Sequence, residues 1–189
     1  MKPKILALAG STRSDSLNKK LIRCATEMIE DADITLIDLR DFSLPIYDGD
    51  LETSEGLPEN AKKLKKLFLQ HQGLLIASPE YNSSYSATLK NAIDWISRPE
   101  PTESEYLICF KNKLAGLLSA SPGALGGLRG LAALRLLLEN VGTSVYTTQF
   151  TLGSADKIFD SNGKLTDQKK EESLKSMLEG YIKLLTKML

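Results

Sequence analysis

Apolar and polar positions follow two different periods along this chain, and the change from one to the other marks out its elements. Lys4 to Ala9 is a short apolar run closed by Gly10-Ser11, which reads as a buried strand. Leu17, Leu21, Ala25, Met28 and Ile29 then recur at helical spacing and predict a helix from about Ser16 to Asp31. Ile34 to Leu39 is a second strand. A long loop punctuated by Pro45, Gly49, Gly56 and Pro58 follows. Pro58 belongs in the first turn of the next helix, which carries Ala61, Leu64, Leu67 and Phe68 and stops at Gly73. Leu74 to Ala77 is a third strand, cut off by Pro79. A helix from about Ser86 to Ser97 sets Leu89, Ile93 and Ile96 on one side, and Pro99 to Phe110 reads as an irregular surface connection. Leu114 to Ala120 is the fourth strand, followed by a Gly-rich turn and a helix from about Gly126 to Asn140. Val145 to Phe150 is a fifth strand, and an apolar stripe from Leu174 to Met188 marks a terminal helix over roughly Asp167 to Leu189.

Strands alternating with helices call for a parallel sheet covered on both faces, because parallel neighbours need crossover connections. Five strands with these loops predict an α/β fold, a flavodoxin-like three-layer sandwich with strand order 2-1-3-4-5. No linker, repeat or low-complexity stretch interrupts residues 1–189, which are expected to form a single domain. Ligands of such sheets bind beyond the carboxyl ends of the strands, near the switch between the first and third. Function is therefore expected in the loops that start at Gly10, Ser78 and Ser119.

Composition narrows the classes. Of 189 residues, 42% are hydrophobic and 25% charged, a globular balance; 24 basic and 24 acidic side chains cancel. No strongly basic face is implied, so nucleic acid is not an expected partner. No apolar run approaches the roughly 20 residues that span a bilayer, so no membrane partner is expected either. The apolar run after Met1-Lys2-Pro3-Lys4 is too short for a signal-peptide core. Cys24 and Cys109 stand far apart without metal-ligand spacing, which predicts two reduced thiols, a cytoplasmic protein and no metal site.

The first loop, Gly10 to Asn18, combines hydroxyls, an amide and Arg13 with the opening of a helix. Free N–H groups, the helix dipole and a guanidinium fork together suit a phosphate. It contains neither GxxxxGK[ST] nor GxGxxG, and Ser14, Asp15 or Ser16 can equally serve as a plain helix cap. In the second loop, Ser78 to Tyr85, Pro79 stiffens the turn, and backbone amides with Asn82 can meet the polar edge of a planar ring. Tyr81 and Tyr85 can border such a ring or simply sit at a surface, and Trp95 reads as packing. The third loop, Ser119 to Gly127, has glycines that permit close backbone approach.

Taken together these stretches resemble the NADPH-dependent FMN reductase family of flavodoxin-like proteins, which includes bacterial quinone and chromate reductases. The resemblance rests on Gly10-Ser11-x-Arg13-x-x-Ser16-x-Asn18, on Pro79-Glu80-Tyr81-Asn82 followed by Leu89-Lys90-Asn91-Ala92-Ile93-Asp94-Trp95, and on Ser121-Pro122-Gly123-x-x-Gly126-Gly127-x-Arg129. Leu44-Pro45-Ile46-Tyr47-Asp48 through Leu51-Glu52 also looks like that family's loop after the second strand. The resemblance implies non-covalent FMN, with Ser11, Arg13, Ser16 and Asn18 on its phosphate and Leu17 lending its backbone. It implies that Pro79, Glu80, Tyr81 and Asn82 line the isoalloxazine, chiefly through main-chain groups, while Ser121 and Gly123 close the far side. Ser86-Ala87 departs from the family's usual Pro-Gly and Gly130-Leu131 from its usual Ala-Gln, bearing on the entry of the third helix and on the pocket rim.

His71, the sole histidine, falls at the end of a helix, where a cation beside the helix C-terminus explains it without catalysis. Cys24 reads as core, and the lysine pairs at 62–63 and 65–66 as a solvated face. The helix from Gly126 is apolar around more than one face, so it is either deeply buried or meets a second subunit; a homodimer or homotetramer is the expectation, as in the family it resembles. The implied activity is an FMN-dependent NAD(P)H oxidoreductase that takes a hydride from NADPH or NADH and reduces a small-molecule acceptor: a quinone, flavin, azo compound or oxyanion. No catalytic side chain is required, since the hard chemistry belongs to the cofactor. The rivals are a flavodoxin-like electron carrier and an FMN-binding regulatory protein without turnover.

Overall fold

In a computed structural model that describes residues 2–100, 103 and 105–189, the elements alternate much as the pattern predicts. They are β1 (Lys4–Ala9), α1 (Leu17–Glu27), β2 (Asp33–Asp38), α2 (Gly49–Glu55), α3 (Glu59–Gln70) and β3 (Gly73–Ala77), followed by α4 (Ala87–Ile96), β4 (Leu114–Ala120), α5 (Leu128–Asn140), β5 (Ser144–Val145), β6 (Phe150–Leu152) and α6 (Gln168–Lys187). The strands pair in parallel in the order β2-β1-β3-β4-β5, with β6 also against β4. β3 and β4 are buried throughout and β1 everywhere but Lys4, the mark of strands covered on both faces. One apolar layer joins the sheet to α1 and α6 through residues such as Leu21, Ile22, Met177 and Tyr181. The other joins it to α3, α4 and α5 through Leu64, Phe68, Ile93, Leu131 and Leu134. No helix of the described residues is long and apolar enough to cross a membrane.

Several boundaries differ from the sequence reading. α1 stops at Glu27, where the Met28 and Ile29 amides turn back to Ala25 and Thr26 in a tighter final turn. Ile29 stays buried beyond the helix, so its periodicity reported packing. α2 lies inside the expected loop. It buries no side chain, so it leaves no apolar stripe; its signals are the Asp48 cap and Gly56 at φ 73°. α3 ends at Gln70, and Gly73 opens β3. A Cβ at Gly73 would stand 2.5 Å from the Tyr181 hydroxyl oxygen, so α6 packs on the sheet because that position is bare.

The expected fifth strand is two short pieces, interrupted over residues 146–149. Over that interruption the Arg135 guanidinium on α5 donates to the carbonyls of Val145, Tyr146 and Thr147. The 99–110 connection is no surface segment at its end: Cys109 and Phe110 are buried, Phe110 against Phe68. Residues 101, 102 and 104 of that connection lie outside the described residues. α5 begins at Leu128, after Gly126 and Gly127 at φ 61° and 91°. It buries Leu131, Leu134 and Leu138 and leaves Leu128 and Leu136 exposed.

Candidate functional site

The carboxyl ends of β1, β3 and β4 deliver the three loops to one place. Ser16 caps α1, its Oγ accepting from the Lys19 amide at 3.4 Å, and the Ser11 Oγ accepts from the Arg13 amide at 3.3 Å. Each hydroxyl therefore keeps its own proton free to donate outward. The amides of Leu17 and Asn18, first and second in α1, have no acceptor among the described residues, as expected for a helix opening. Arg13 is exposed and has no carboxylate partner among the described residues. The neighbouring Asp15 is held below the usual carboxylate range by its hydrogen bond and ion pair to Lys20 at 2.6 Å.

Asn18 has a second task. Its Nδ2 donates to the Ala120 carbonyl and its Oδ1 accepts from the Ala120 amide, both at 2.9 Å in a buried setting. β3 ends at Ala77, opposite Leu118, so Ala120 lies beyond the last paired residue of β3. The Asn18 carboxamide takes the place of the peptide that β3 would have supplied. Its side chain is thus committed to the sheet, and what it presents to the loop is its backbone N–H.

The second loop is a tight two-residue turn. Tyr81 and Ser84 exchange backbone hydrogen bonds at 2.9 and 3.1 Å, and Asn82 and Ser83 between them both have positive φ. Their amides, and that of Glu80, have no acceptor among the described residues. The Glu80 carboxylate turns away to α5, accepting from the Arg129 and Gly130 amides at 3.1 Å and from Arg129 Nε at 2.8 Å. Burial pushes its pKa up, but those donors together outweigh it and hold the group below the usual range. Glu80 therefore ties the second loop to the start of α5, and Gly130 lets the two meet, since a Cβ there would lie 3.0 Å from Glu80 Cβ. Ser86 makes the matching tie on the other side. It caps α4 and donates to the Gly10 carbonyl at 2.5 Å, joining the first and second loops.

All eleven residues singled out from the sequence line two adjoining hollows. One, of about 290 Å³, is bordered by Ser11, Arg13, Ser16, Leu17, Asn18, Pro79, Glu80, Tyr81 and Ser121. The other, of about 490 Å³, shares Glu80 and Ser121 and adds Asn82 and Gly123. Asp156, from the turn after β6, also reaches the first hollow. The sequence reading missed it because no local motif accompanies a lone aspartate so far along the chain. A larger hollow of about 850 Å³ lies between the end of α1 and α6, at the opposite end of the sheet from these loops.

Trp95, His71 and Cys24, read from the sequence as structural, are in structural places, and so is Cys109. Trp95 is fully buried and donates to the Pro45 carbonyl. His71 bridges the Leu67 carbonyl and the Thr35 hydroxyl. Cys24 and Cys109 are buried free thiols, and burial pushes Cys109 up to about 12, which keeps it protonated and unreactive. No group of three potential metal ligands exists among the described residues.

Known proteins give this arrangement a family. Residues 3–157 match the profile of the NADPH-dependent FMN reductases. A probable NADPH:quinone oxidoreductase of Oryza sativa is 34% identical over 182 residues, covering 93% of this chain and 85% of that protein. An NAD(P)H-dependent FMN reductase of Pseudomonas aeruginosa is 33% identical over 178 residues, covering 93% and 91%. Among solved structures, the flavoenzyme NAD(P)H:(acceptor) oxidoreductase FerB of Paracoccus denitrificans superposes with a TM-score of 0.80 at 29% identity, covering 98% of each chain. With its flavodoxin-like sheet and its three convergent loops, the chain belongs to the NADPH-dependent FMN reductase family and is an oxidoreductase that uses FMN and NAD(P)H.

Proposed function

We propose that this chain holds FMN across the two hollows and passes electrons from NAD(P)H to a quinone. The observation that carries the reading is the convergence of unpaired donors on one line beyond the strand ends: the Leu17 and Asn18 amides, the Ser11 and Ser16 hydroxyls and the unpartnered Arg13 guanidinium at one end, and the Glu80, Asn82 and Ser83 amides at the other.

The donor set fits the cofactor. A phosphate dianion asks for several N–H and O–H donors and a nearby positive charge, and the α1 opening offers them without a competing internal acceptor. A flavin ring asks for a slot in which bare backbone can approach its polar edge. Gly123 meets that need: a Cβ there would touch only the Ser121 Oγ, at 3.5 Å, so nothing inside the chain requires glycine and the open side faces the hollow. Ser11, Arg13, Ser16, Leu17 and Asn18 would hold the phosphate, with Asn18 acting through its backbone. Pro79, Glu80, Tyr81 and Asn82 would border the ring, and Ser121 with Gly123 would close the other side.

When bound, FMN supplies hydride acceptance from a nicotinamide and electron donation to an acceptor. The chain's part is to bind, orient and limit access. Glu80 serves by pinning the second loop to α5, so its carboxylate does not face the ring as a base. Leu125 in the wall of the second hollow and Tyr81 in that of the first are each half exposed or more, an apolar border that suits a planar quinone. Quinone as the acceptor also follows the names of the rice relative and of the quinone reductase of Pseudomonas putida, 31% identical over 166 residues.

The test is to load the protein with FMN, desalt it, add NADPH without oxygen and then add a benzoquinone. Retained colour that bleaches with NADPH and returns with the quinone is the expected result. Colour that neither NADPH nor NADH bleaches would instead favour a carrier or regulatory role. Failure to retain flavin would overturn the site.

A further inference from the structure

The geometry points to Arg40 as a positioning residue that braces the Thr12–Ser14 segment of the first loop, so that the loop is ordered before an anion arrives. The inference rests on the phosphate reading of that loop and adds a residue that does not line its hollow.

Thr12, Arg13 and Ser14 are all exposed, and among the described residues their only hydrogen bond within the loop itself is the one from the Arg13 amide to the Ser11 Oγ. One tertiary partner reaches these three residues among the described residues. It is the Arg40 guanidinium, whose Nε, at 3.1 Å, and Nη2 both donate to the Thr12 carbonyl. Two N–H groups of a rigid fork on one oxygen fix that peptide's orientation, where a single flexible ammonium would leave it free to pivot.

Arg40 is itself held. It follows β2, and its amide donates at 3.0 Å to Asp38 Oδ1, while Asp38 Oδ2 pairs at 2.6 Å with Lys19 in the first turn of α1. The end of β2 therefore grips both sides of the loop, through Arg40 at Thr12 and through Lys19 just past Asn18. The side of approach matters too. Thr12 and Arg40 border a separate hollow of about 440 Å³, whereas Ser11 and Arg13 face the candidate phosphate site. Arg40 thus acts through the backbone of the loop and not by touching the anion.

An unbraced loop would have to be ordered on binding, and fixing one backbone residue costs enough to weaken affinity by about tenfold. The cost would fall on ligands that engage the loop and spare those that do not. The test compares wild-type, Arg40→Ala and Arg40→Lys proteins as full-length chains. FMN and riboflavin are titrated into each, and amide hydrogen exchange over Thr12–Asp15 is followed in the flavin-free state. The expected result is faster exchange of the loop in both variants, about tenfold weaker FMN binding and unchanged riboflavin binding.

Retained FMN affinity in Arg40→Lys with loss in Arg40→Ala would mean that only the charge matters, and would overturn the brace. So would unchanged loop exchange in either variant, or a parallel loss of riboflavin affinity. A wild-type protein that binds riboflavin as tightly as FMN, while loop exchange still rises in the variants, would overturn the phosphate reading and leave the mechanical tie standing.

Discussion

Asn18→Ala separates two roles that the first loop could give this side chain. In the wild-type protein the carboxamide satisfies both backbone groups of Ala120 at 2.9 Å, beyond the end of β3. Truncation leaves one N–H and one C=O without partners, and each buried unsatisfied group costs about 1–3 kcal/mol. Ala120 borders the 290 Å³ hollow, from which water could enter a truncated site and recover part of that loss. The expected destabilisation of the flavin-free protein is thus about 2–4 kcal/mol, near the lower half of the summed cost. Asn18→Asp is expected to be no better at neutral pH, because a carboxylate would face the Ala120 carbonyl. It should recover as the pH falls and the acid regains a donor. Urea unfolding of the flavin-free proteins, followed by circular dichroism, measures both. A stability of Asn18→Ala within about 0.5 kcal/mol of wild type, accompanied by lost FMN affinity, would refute the structural role and make the side chain a ligand contact.

Three other outcomes follow from the same geometry. Arg13→Ala is expected to weaken FMN binding about 10- to 100-fold by removing a charge-assisted hydrogen bond to phosphate, while leaving riboflavin binding unchanged in a fluorescence titration. Glu80→Gln should destabilise the protein by about 1 kcal/mol at neutral pH. The Glu80 pKa is lowered by folding, so its contribution is present above the ordinary glutamate range and disappears as the pH falls through the lowered value; the gap between wild-type and variant urea midpoints should close in acid. Gly73→Ala places a methyl 2.5 Å from the Tyr181 Oη and 2.6 Å from Leu185, and should cost about 2–4 kcal/mol in urea unfolding through overpacking and displacement of the Tyr181 hydroxyl from the Leu74 and Leu114 carbonyls.

The sheet was legible because its inner strands are buried on both faces: the apolar runs at residues 5–9, 74–77 and 114–118 can be little else once helices separate them. The loops of the candidate site were legible for a related reason. A parallel sheet sends every strand's carboxyl end to the same side, so motifs far apart in the chain must meet there. α2 was not legible, since a helix with no buried residue leaves no periodic stripe. Nor was the break between β5 and β6, where the backbone carbonyls take their partner, Arg135, from another element.

Local chemistry along the chain, then, determined the strand order, the Ser16 cap and the grouping of small, hydroxyl and basic residues at the α1 opening. Only the tertiary structure decided that the Asn18 side chain completes the sheet beyond the end of β3, that Glu80 turns to α5, and that Arg40 reaches Thr12 across 28 positions. The physical reason is the range of the forces. Periodicity, capping and backbone preference act within a turn or two and are written in neighbouring residues, whereas a polar side chain takes whichever partner folding leaves unsatisfied beside it, and that partner is set by the packing of distant elements.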